Sequence, residues 1–246
     1  MTQATTKTVT EVVTRSASTE GFLSRSRPQP RRGAPATETA LVVPELWGKR
    51  AAEVAAVLVS MPVWLPLLGL LMLAVRLDSR GPACFTQKRY GRDGRVFTLW
   101  KLRSMSANAD AALPAVLADC EDKSAEWAEH GKLRCDPRLT RLGRWLRRSS
   151  LDELPQLFNV LRGEMSLVGP RPIPLVERGR YGEAFGDYGR VRPGLTGLWQ
   201  VSGRNELKYA ERIALDRRYV GSRSWRLELR ILWRTLGAVW SGRGAY

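Results

Sequence analysis

The sequence is poor in the residues that carry most metal and nucleophile chemistry. Its 246 residues contain one histidine, His130, and three cysteines, Cys84, Cys120 and Cys135. A single histidine excludes most zinc, triad and histidine-base schemes. Three cysteines without a Cys-x-x-Cys pair form no disulfide framework, which favours a reducing compartment. If the chain forms a covalent intermediate, a carboxylate is therefore the nucleophile that remains.

The first 45 residues lack a periodic apolar pattern. They are rich in Thr, Ser, Ala, Pro and Arg, which predicts a disordered tail. No apolar segment follows their charges, and this excludes a secretory signal peptide. The rest of the chain is long enough for one ordinary domain with a good core. We predict three parts: a tail over residues 1–45, a membrane helix over 46–78 and a catalytic domain over 79–246.

Acidic residues are outnumbered. The chain has 40 Lys and Arg against 24 Asp and Glu, giving a net charge of +16 and a pI near 10.7. This balance indicates phosphate-bearing partners such as nucleic acid, anionic lipid or nucleotide. The basic residues are spread along an apolar chain and no nucleic-acid motif is present, so nucleic acid is the least favoured of the three.

Charged residues are absent between Val54 and Val75, a stretch long enough to cross a bilayer. A spanning helix is the default interpretation. However, Pro62 and Pro66 each delete a hydrogen bond in the middle and favour a kink. Both flanks are basic, and lysine and arginine mark the cytoplasmic side. We therefore expect a helix that enters one leaflet, bends and returns, with a spanning helix as the alternative.

The rest of the chain predicts helices and one small hairpin, an α+β fold that is mostly α. Asp93-Gly94 indicates the hairpin turn, and residues 104–129 indicate a helix that is broken or bent at Pro114. Two amphipathic stretches follow. Around residues 138–148 a leucine face opposes arginines, which fits a membrane interface or an ordinary core helix. Trp225 to Trp240 combines tryptophan and arginine faces, as at a water–lipid boundary.

The stretch Ser149 to Gln156 contains the candidate chemistry. Ser150 and Glu153 have capping-box spacing and Pro155 suits a first turn, so Asp152 and Glu153 should lie where a helix begins. Alone, this is an ordinary cap. With arginines on both sides, at 147, 148 and 171, the pattern suits the binding of a metal-bound phosphate.

These motifs together resemble the bacterial sugar transferase family, the monotopic phosphoglycosyl transferases. The resemblance covers residues 47–246. It rests on motifs in one order: Lys49-Arg50, Gln87 to Gly94, Lys101 to Met105, Asp136-Pro137-Arg138, the block around Asp152, and Arg192 to Arg204. The family's re-entrant helix carries Ser-Pro at its break. This chain has Leu65-Pro66 at the matching position, so the serine is missing.

The resemblance implies a transfer of hexose 1-phosphate from a UDP-sugar to undecaprenyl phosphate, with release of UMP, as the initiating step of a surface polysaccharide or glycoconjugate. It implies that Asp152 attacks the sugar-proximal phosphorus and that Glu153 holds Mg2+. Arg171 and Arg147 would bind phosphates. Basic residues of the matched motifs would contact the nucleotide or the lipid phosphate: Lys101, Arg103 and Arg89.

The same resemblance places the protein at the bacterial inner membrane, with its catalytic domain facing the cytoplasm and membrane lipid as a partner. It also suggests that part of residues 206–219 closes over the donor. From the residues themselves, the glycine-rich stretch around Trp199 allows close approach, so that Trp199 could stack on a base or a sugar. A homo-oligomer stays open, as does the identity of the sugar. Two alternatives remain: a one-step transfer with Asp152 as the base, and a basic membrane-attached scaffold without enzymatic activity.

Overall fold

The structure, a computed structural model, describes residues 47–130, 133–204 and 207–241. The predicted tail lies outside them. The described part is mostly helical with small sheets, as predicted. Its helices are α1 Trp47–Asp78, α2 Ala109–Ala118, α3 Glu121–His130, α4 Arg141–Ser149, α5 Gln156–Arg162, α6 Arg178–Tyr181, α7 Ala184–Gly189, α8 Tyr209–Gly221 and α9 Trp225–Ser241. Its strands are β1 Cys84–Tyr90, β2 Val96–Leu102, β3 Ser166–Val168, β4 Ile173–Pro174 and β5 Gly194–Thr196.

The strands form two small sheets. β1 and β2 make the predicted antiparallel hairpin, and β4 pairs with the other edge of β1. The turn places Asp93 at φ 56° and Gly94 at φ 70°, which is why Asp-Gly is favoured at such turns. β3 and β5 pair in parallel. Together β3 and β4 bracket the loop that carries Arg171.

Helix α1 is long and apolar enough to cross a membrane. One of its faces is nevertheless buried in the protein: Val57, Trp64 and Val75 are at most 4% exposed and belong to the core that includes Leu146 and Met165. The opposite face is open to the surroundings, with Val59 80% and Leu77 79% exposed. Helix α1 therefore covers the domain with one face and presents an apolar surface with the other.

The helix continues through Pro62 and Pro66, so the break predicted there does not interrupt it. Two side chains donate hydrogen bonds to backbone carbonyls in the turn before Pro62. The Ser60 hydroxyl donates to the Ala56 carbonyl at 2.7 Å, and the Trp64 indole N–H donates to the Val57 carbonyl at 3.0 Å. The re-entrant path through a membrane remains a prediction.

Both ends of α1 are tied to the domain. Near its start, the Lys49 ammonium donates to the Val168 carbonyl and to Glu228, each at 2.9 Å. Near its end, the Arg103 guanidinium donates to the Val75 carbonyl at 3.2 Å. Lys49 and Val75 belong to α1, and the groups that they contact lie outside the helix. The helix is thus held to the domain near both of its ends.

The structure divides one predicted helix in two and decides between two interpretations of another. The segment after residue 104 forms α2 and α3, and its break falls at Asp119–Cys120 rather than at Pro114, which lies inside α2. In α4, Leu146 is fully buried and Leu142 packs on the same core. The leucine face of α4 therefore meets the protein core instead of a membrane, because α1 packs against α4.

Helix α9 keeps an exposed apolar stripe. Its residues are spaced at helical intervals, and their exposed fractions run from 44% to 77%: Trp225, Leu229, Trp233 and Leu236. The opposite face packs inward through Ile231, which is fully buried. Arg226, Arg230 and Arg234 are also exposed. This arrangement suits the water–lipid boundary that the sequence predicted.

Candidate active site

The adjacent carboxylates lie in a tight connection between α4 and α5. Ser150 ends α4 in the left-handed conformation, at φ 59°, and donates its backbone N–H to Arg147 and Leu146. Leu151–Glu153 form a 3-10 turn, and Pro155 precedes α5. The predicted capping box is wrong: within the described residues the Ser150 side chain makes no capping hydrogen bond. Because it ends one helix, Ser150 cannot adopt the extended backbone of an N-cap.

Basic residues from two distant segments meet these carboxylates. The Lys101 ammonium, on β2, lies 2.7 Å from Glu153 Oε1 and 3.7 Å from Asp152 Oδ2. Arg171, from the loop after β3, places Nη2 3.2 Å from the same Oε1. The side chains of Asp152 and Glu153 are only 9% and 18% exposed. Because these side chains are largely shielded from water, removal of one charged partner would leave the other charge unpaired, which is strongly destabilising.

Asp152 is the more buried carboxylate, and its surroundings act on it in both directions. Burial raises the pKa of Asp152, and the neighbouring negative charge of Glu153 raises it further. The positive charges of Lys101, Arg147 and Arg171 lower it. The net direction is upward. A carboxylate in such a site is poorly hydrated and held among cations, which is the environment of a functional group more often than of a surface cap.

Arg147 and Arg89 support the site from its edges. The Arg147 Nε donates to the Ser104 hydroxyl at 3.0 Å, and burial lowers its pKa while the charge of Asp152 raises it. Arg89 donates to the Pro172 carbonyl at 3.1 Å, beside Arg171. Burial and the charge of Arg171 lower the pKa of Arg89 to about 10. Arg89 therefore fixes the loop that presents Arg171.

Arg103, assigned above to substrate, is engaged elsewhere. Its guanidinium donates to carbonyls of Val75, Ser79 and Pro82 and to the Ser79 hydroxyl. These groups lie at the C-terminal end of α1 and just after it. Four bonds at one guanidinium indicate a structural role in fastening α1 to the domain.

Trp199 also differs from the sequence interpretation. Its indole is 4% exposed, which leaves no open face for stacking on a base. The guanidinium groups of Arg171 and Arg212 lie 6.0 Å and 5.1 Å from its ring centre. These are cation–π distances. Trp199 thus packs against Arg171 from the protein interior.

Three residues of this region escaped the sequence interpretation. Burial lowers the pKa of Arg204, and the charge of Glu153 opposes this shift in part. The charge of Glu177 raises the pKa of Arg89 and of Arg171. Asp216 lies in α8, within the region expected to close over the donor, and it is only 2% exposed. Arg204 ends a matched motif and could have been found that way. Nothing local marks Glu177 or Asp216, because only their long-range neighbours make them unusual.

The side chains available as ligands indicate how a metal ion could bind at this site. Within the described ranges, no three His, Cys, Asp or Glu side chains gather as a complete metal site. Asp152 and Glu153 offer carboxylate oxygens side by side, and Mg2+ is often bound by one or two carboxylates together with substrate phosphates. The residues therefore fit a Mg2+ that arrives with a phosphate ligand. Lys101 and Arg171 now neutralise the oxygen of Glu153 that such an ion would meet.

Comparison with known proteins relates the chain to transferases. A family model described as bacterial sugar transferase matches residues 44–242. The undecaprenyl-phosphate galactose phosphotransferase of Salmonella typhimurium is 44% identical over 200 residues. The exopolysaccharide production protein ExoY of Rhizobium meliloti is 43% identical over 198 residues. The UDP-glucose:undecaprenyl-phosphate glucose-1-phosphate transferase of Caulobacter vibrioides is 41% identical over 206 residues.

The matched region is 80% of this chain in each of the three comparisons. It corresponds to 41% of the Salmonella protein, 72% of the Caulobacter protein and 88% of ExoY. The chain thus spans less than half the length of some relatives and most of the length of others. The residues matched by the family model, 44–242, include the Asp152 cluster.

Proposed function

Because the chain belongs to the bacterial sugar transferase family, we propose that it transfers a hexose 1-phosphate from a UDP-hexose to undecaprenyl phosphate and releases UMP. The names of the Salmonella and Caulobacter relatives support the acceptor, and that of the Caulobacter protein also supports the nucleotide donor and the transferred group. The relatives differ between galactose and glucose, so the proposal extends only to a hexose. ExoY supports a place in exopolysaccharide production.

The proposed chemistry uses Asp152 as a nucleophile. One of its oxygens forms a bond to the sugar-proximal phosphorus as the bond from that phosphorus to the UMP oxygen breaks, and UMP leaves with the electron pair. An oxygen of undecaprenyl phosphate then attacks the same phosphorus. The bond to Asp152 breaks, which restores the carboxylate and yields the polyprenyl-diphosphate sugar. Each step exchanges one phosphorus–oxygen bond for another, so no other reactant is needed.

The cations around Asp152 have a role in both steps. Lys101 and Arg171 lie within 3.7 Å of one or both carboxylates. When a diphosphate enters, they can turn from Glu153 to phosphate oxygens, where they offset the charge that develops on transfer. Arg147 would add to this positive field. Arg89 would act through Arg171, since it fixes the loop on which Arg171 lies.

Glu153, with Asp152 beside it, would hold Mg2+ together with the donor's phosphates. When bound, the ion would neutralise phosphate charge and orient the diphosphate. The chain's own part is to present an oxygen ligand at a nearly dry site. We expect activity to depend on this carboxylate for that reason.

The proposed site is at the cytoplasmic face of the inner membrane. The acceptor is a lipid and the donor is soluble, so the reaction needs a surface where both can meet. Helix α1 and the stripe on α9 expose apolar side chains on the same domain that holds Asp152. The two basic flanks of α1 favour cytoplasmic ends for both. A re-entrant α1 would let the domain rest against one leaflet.

The observation that carries the proposal is the burial of two adjacent carboxylates among cations from two distant segments. Asp152→Asn tests it, because asparagine keeps the size of the side chain but removes the nucleophile. The purified variant should fold and bind UDP-hexose, yet release no UMP even before acceptor is added. Wild-type protein given donor labelled in the sugar-proximal phosphate should carry the label on the peptide containing Asp152.

Asp119→Asn is a matched control, since Asp119 also lies 3.5 Å from a lysine, Lys123, but at the surface. It should keep wild-type activity. Substantial transfer by Asp152→Asn, or label on another residue, would show that the nucleophile is wrong. An inactive Asp152→Asn with no trapped label would favour a one-step transfer with Asp152 as the base. Full activity of all variants would favour a scaffold contaminated by another enzyme.

A further inference from the structure

A second basic feature lies apart from the Asp152 cluster. It is a small pocket that opens to solvent. Four arginines line it, together with the buried Lys49 and Tyr219: Arg92, Arg190, Arg192 and Arg223. We call this the four-arginine pocket. It shares no lining residue with the cluster around Asp152.

Three separate segments bring these arginines together. Arg92 begins the turn of the β1–β2 hairpin, Arg190 and Arg192 lie between α7 and β5, and Arg223 connects α8 to α9. No local sequence pattern places these four arginines close together. Four guanidinium groups around one small volume repel each other, and their repulsion is strongest where water is limited. A bound anion would convert that repulsion into attraction.

Carboxylates of the protein lie near two of these arginines. Asp93 Oδ2 lies 3.7 Å from the Nε of Arg92. Asp187 lies 3.4 Å from Arg190, but its other oxygen is 2.9 Å from Arg217 outside the pocket. Arg223 has a buried Nε that meets no hydrogen-bond acceptor within the described part of the chain. A buried donor without an acceptor is costly and rare in native structures. An oxygen-bearing ligand would supply the acceptor.

Lys49 does not add to the excess charge. Its ammonium contacts Glu228 at 2.9 Å and Glu53 at 3.5 Å, so it is neutralised beneath the pocket. The ligand site is therefore defined by the arginines. Planar guanidinium groups bind phosphate oxygens through paired hydrogen bonds, which makes phosphate the anion they fit best.

We propose that the four-arginine pocket binds a phosphate group, either that of an anionic lipid headgroup or a soluble phosphate. The position favours the lipid. Lys49 lies in the first turns of α1, and Arg223 is two residues before Trp225, where the exposed stripe of α9 begins. Basic pockets next to lipid-facing helices are common headgroup sites. The inference does not depend on the proposed reaction, because it concerns other residues.

The test uses the full chain purified in detergent and follows its thermal unfolding by tryptophan fluorescence at constant ionic strength. The probes are dihexanoyl phosphatidylglycerol, inorganic phosphate and, as a zwitterionic comparison, dihexanoyl phosphatidylcholine. We expect a saturable rise in Tm with at least one anionic probe. Saturation by phosphatidylglycerol alone indicates a lipid headgroup, and saturation by inorganic phosphate as well indicates that a soluble phosphate suffices.

Arg190→Gln/Arg223→Gln should raise the midpoint concentration about tenfold or more, as expected for the loss of two charge-assisted contacts. Arg226→Gln/Arg230→Gln removes the same charge from the exposed surface of α9 and should leave the midpoint unchanged. If the first double variant does not fold, Arg223→Lys provides a second test, since it keeps the charge but removes the fork and should still weaken binding.

Three results would overturn the proposal. One is the absence of a saturable shift with either anionic probe. Another is an equal weakening in both double variants, which would indicate non-specific attraction to a basic protein. The third is an equal response to phosphatidylcholine, which would indicate a detergent-like effect. None of these measurements uses transfer activity, so failure here leaves the role of Asp152 untouched.

Discussion

Replacing Asp216 by asparagine should change how the stability of the protein depends on pH. Asp216 is 2% exposed and accepts a hydrogen bond from the Tyr181 hydroxyl at 3.0 Å. Burial raises the pKa of its carboxyl from 3.8 to about 8, although the bond from Tyr181 and the charge of Arg171 both lower it. The folded protein should therefore keep Asp216 protonated at neutral pH. Asparagine has nearly the shape of that neutral acid.

The direction in which the free energy of unfolding changes with pH follows from proton binding. Because the folded-state pKa is above the unfolded one, the stabilising contribution is complete below about pH 4 and is lost as the pH rises through about 8. Within this window the folded chain holds one proton more than the unfolded chain. The free energy of unfolding should fall by about 1.4 kcal/mol per pH unit. Between about pH 5.5 and about pH 7.5 the loss is roughly 2.7 kcal/mol, a large part of a typical total of about 5–15 kcal/mol.

The assay is guanidinium unfolding of the full chain in detergent, followed by tryptophan fluorescence at several pH values. The difference between wild type and Asp216→Asn isolates the one carboxyl, and it should grow with pH in favour of the variant. Tyr181→Phe removes a bond that lowers the pKa, so its stability should continue to fall above pH 8. Parallel profiles for wild type and Asp216→Asn over this range would refute the reasoning.

Three further predictions concern topology, metal and packing. In a cysteine-free background, single cysteines near the two ends of the chain should both resist an impermeant thiol reagent in intact cells; labelling of the N-terminal one alone would indicate a spanning α1. UMP release should stop in EDTA and return with Mg2+ or Mn2+, and Glu153→Gln should weaken this dependence, whereas full activity in EDTA would remove the metal. Gly143→Ala should destabilise the protein by about 3 kcal/mol or more, because the new Cβ would lie 1.8 Å from the Ser104 carbonyl oxygen. Gly237→Ala, with open space around it, should instead stabilise α9 by up to about 1 kcal/mol, and a similar effect of both changes in thermal unfolding would contradict the packing argument.

The sequence interpretation located the Asp152–Glu153 pair because these residues are adjacent and lie within a recognisable motif. It also placed Lys101 and Arg171 near phosphate, and the structure brings both to Glu153. It grouped Arg103 with Lys101, because both are basic residues of one matched motif. The structure separates them, because β2 ends at Leu102 and the alternation of side chains does not extend past the strand end.

Periodicity alone could not say what covers an apolar face. The leucines of α4 and the tryptophans of α9 both repeat at helical spacing. Only packing assigned Leu146 to the core and left Trp233 77% exposed. Likewise, hydropathy alone could not show that α1 continues through both prolines.

The sequence by itself determined the local features: the long apolar helix, the Asp-Gly hairpin, the short turn that holds two carboxylates and the excess of positive charge. Each depends on residues a few positions apart, where backbone geometry fixes which side chains are neighbours. The tertiary structure alone decided which cations meet which carboxylates. Lys101 and Glu153 are 52 residues apart, and the four-arginine pocket joins residues 92 to 223. Such meetings follow from how helices and strands pack against a shared core, and no local pattern encodes them.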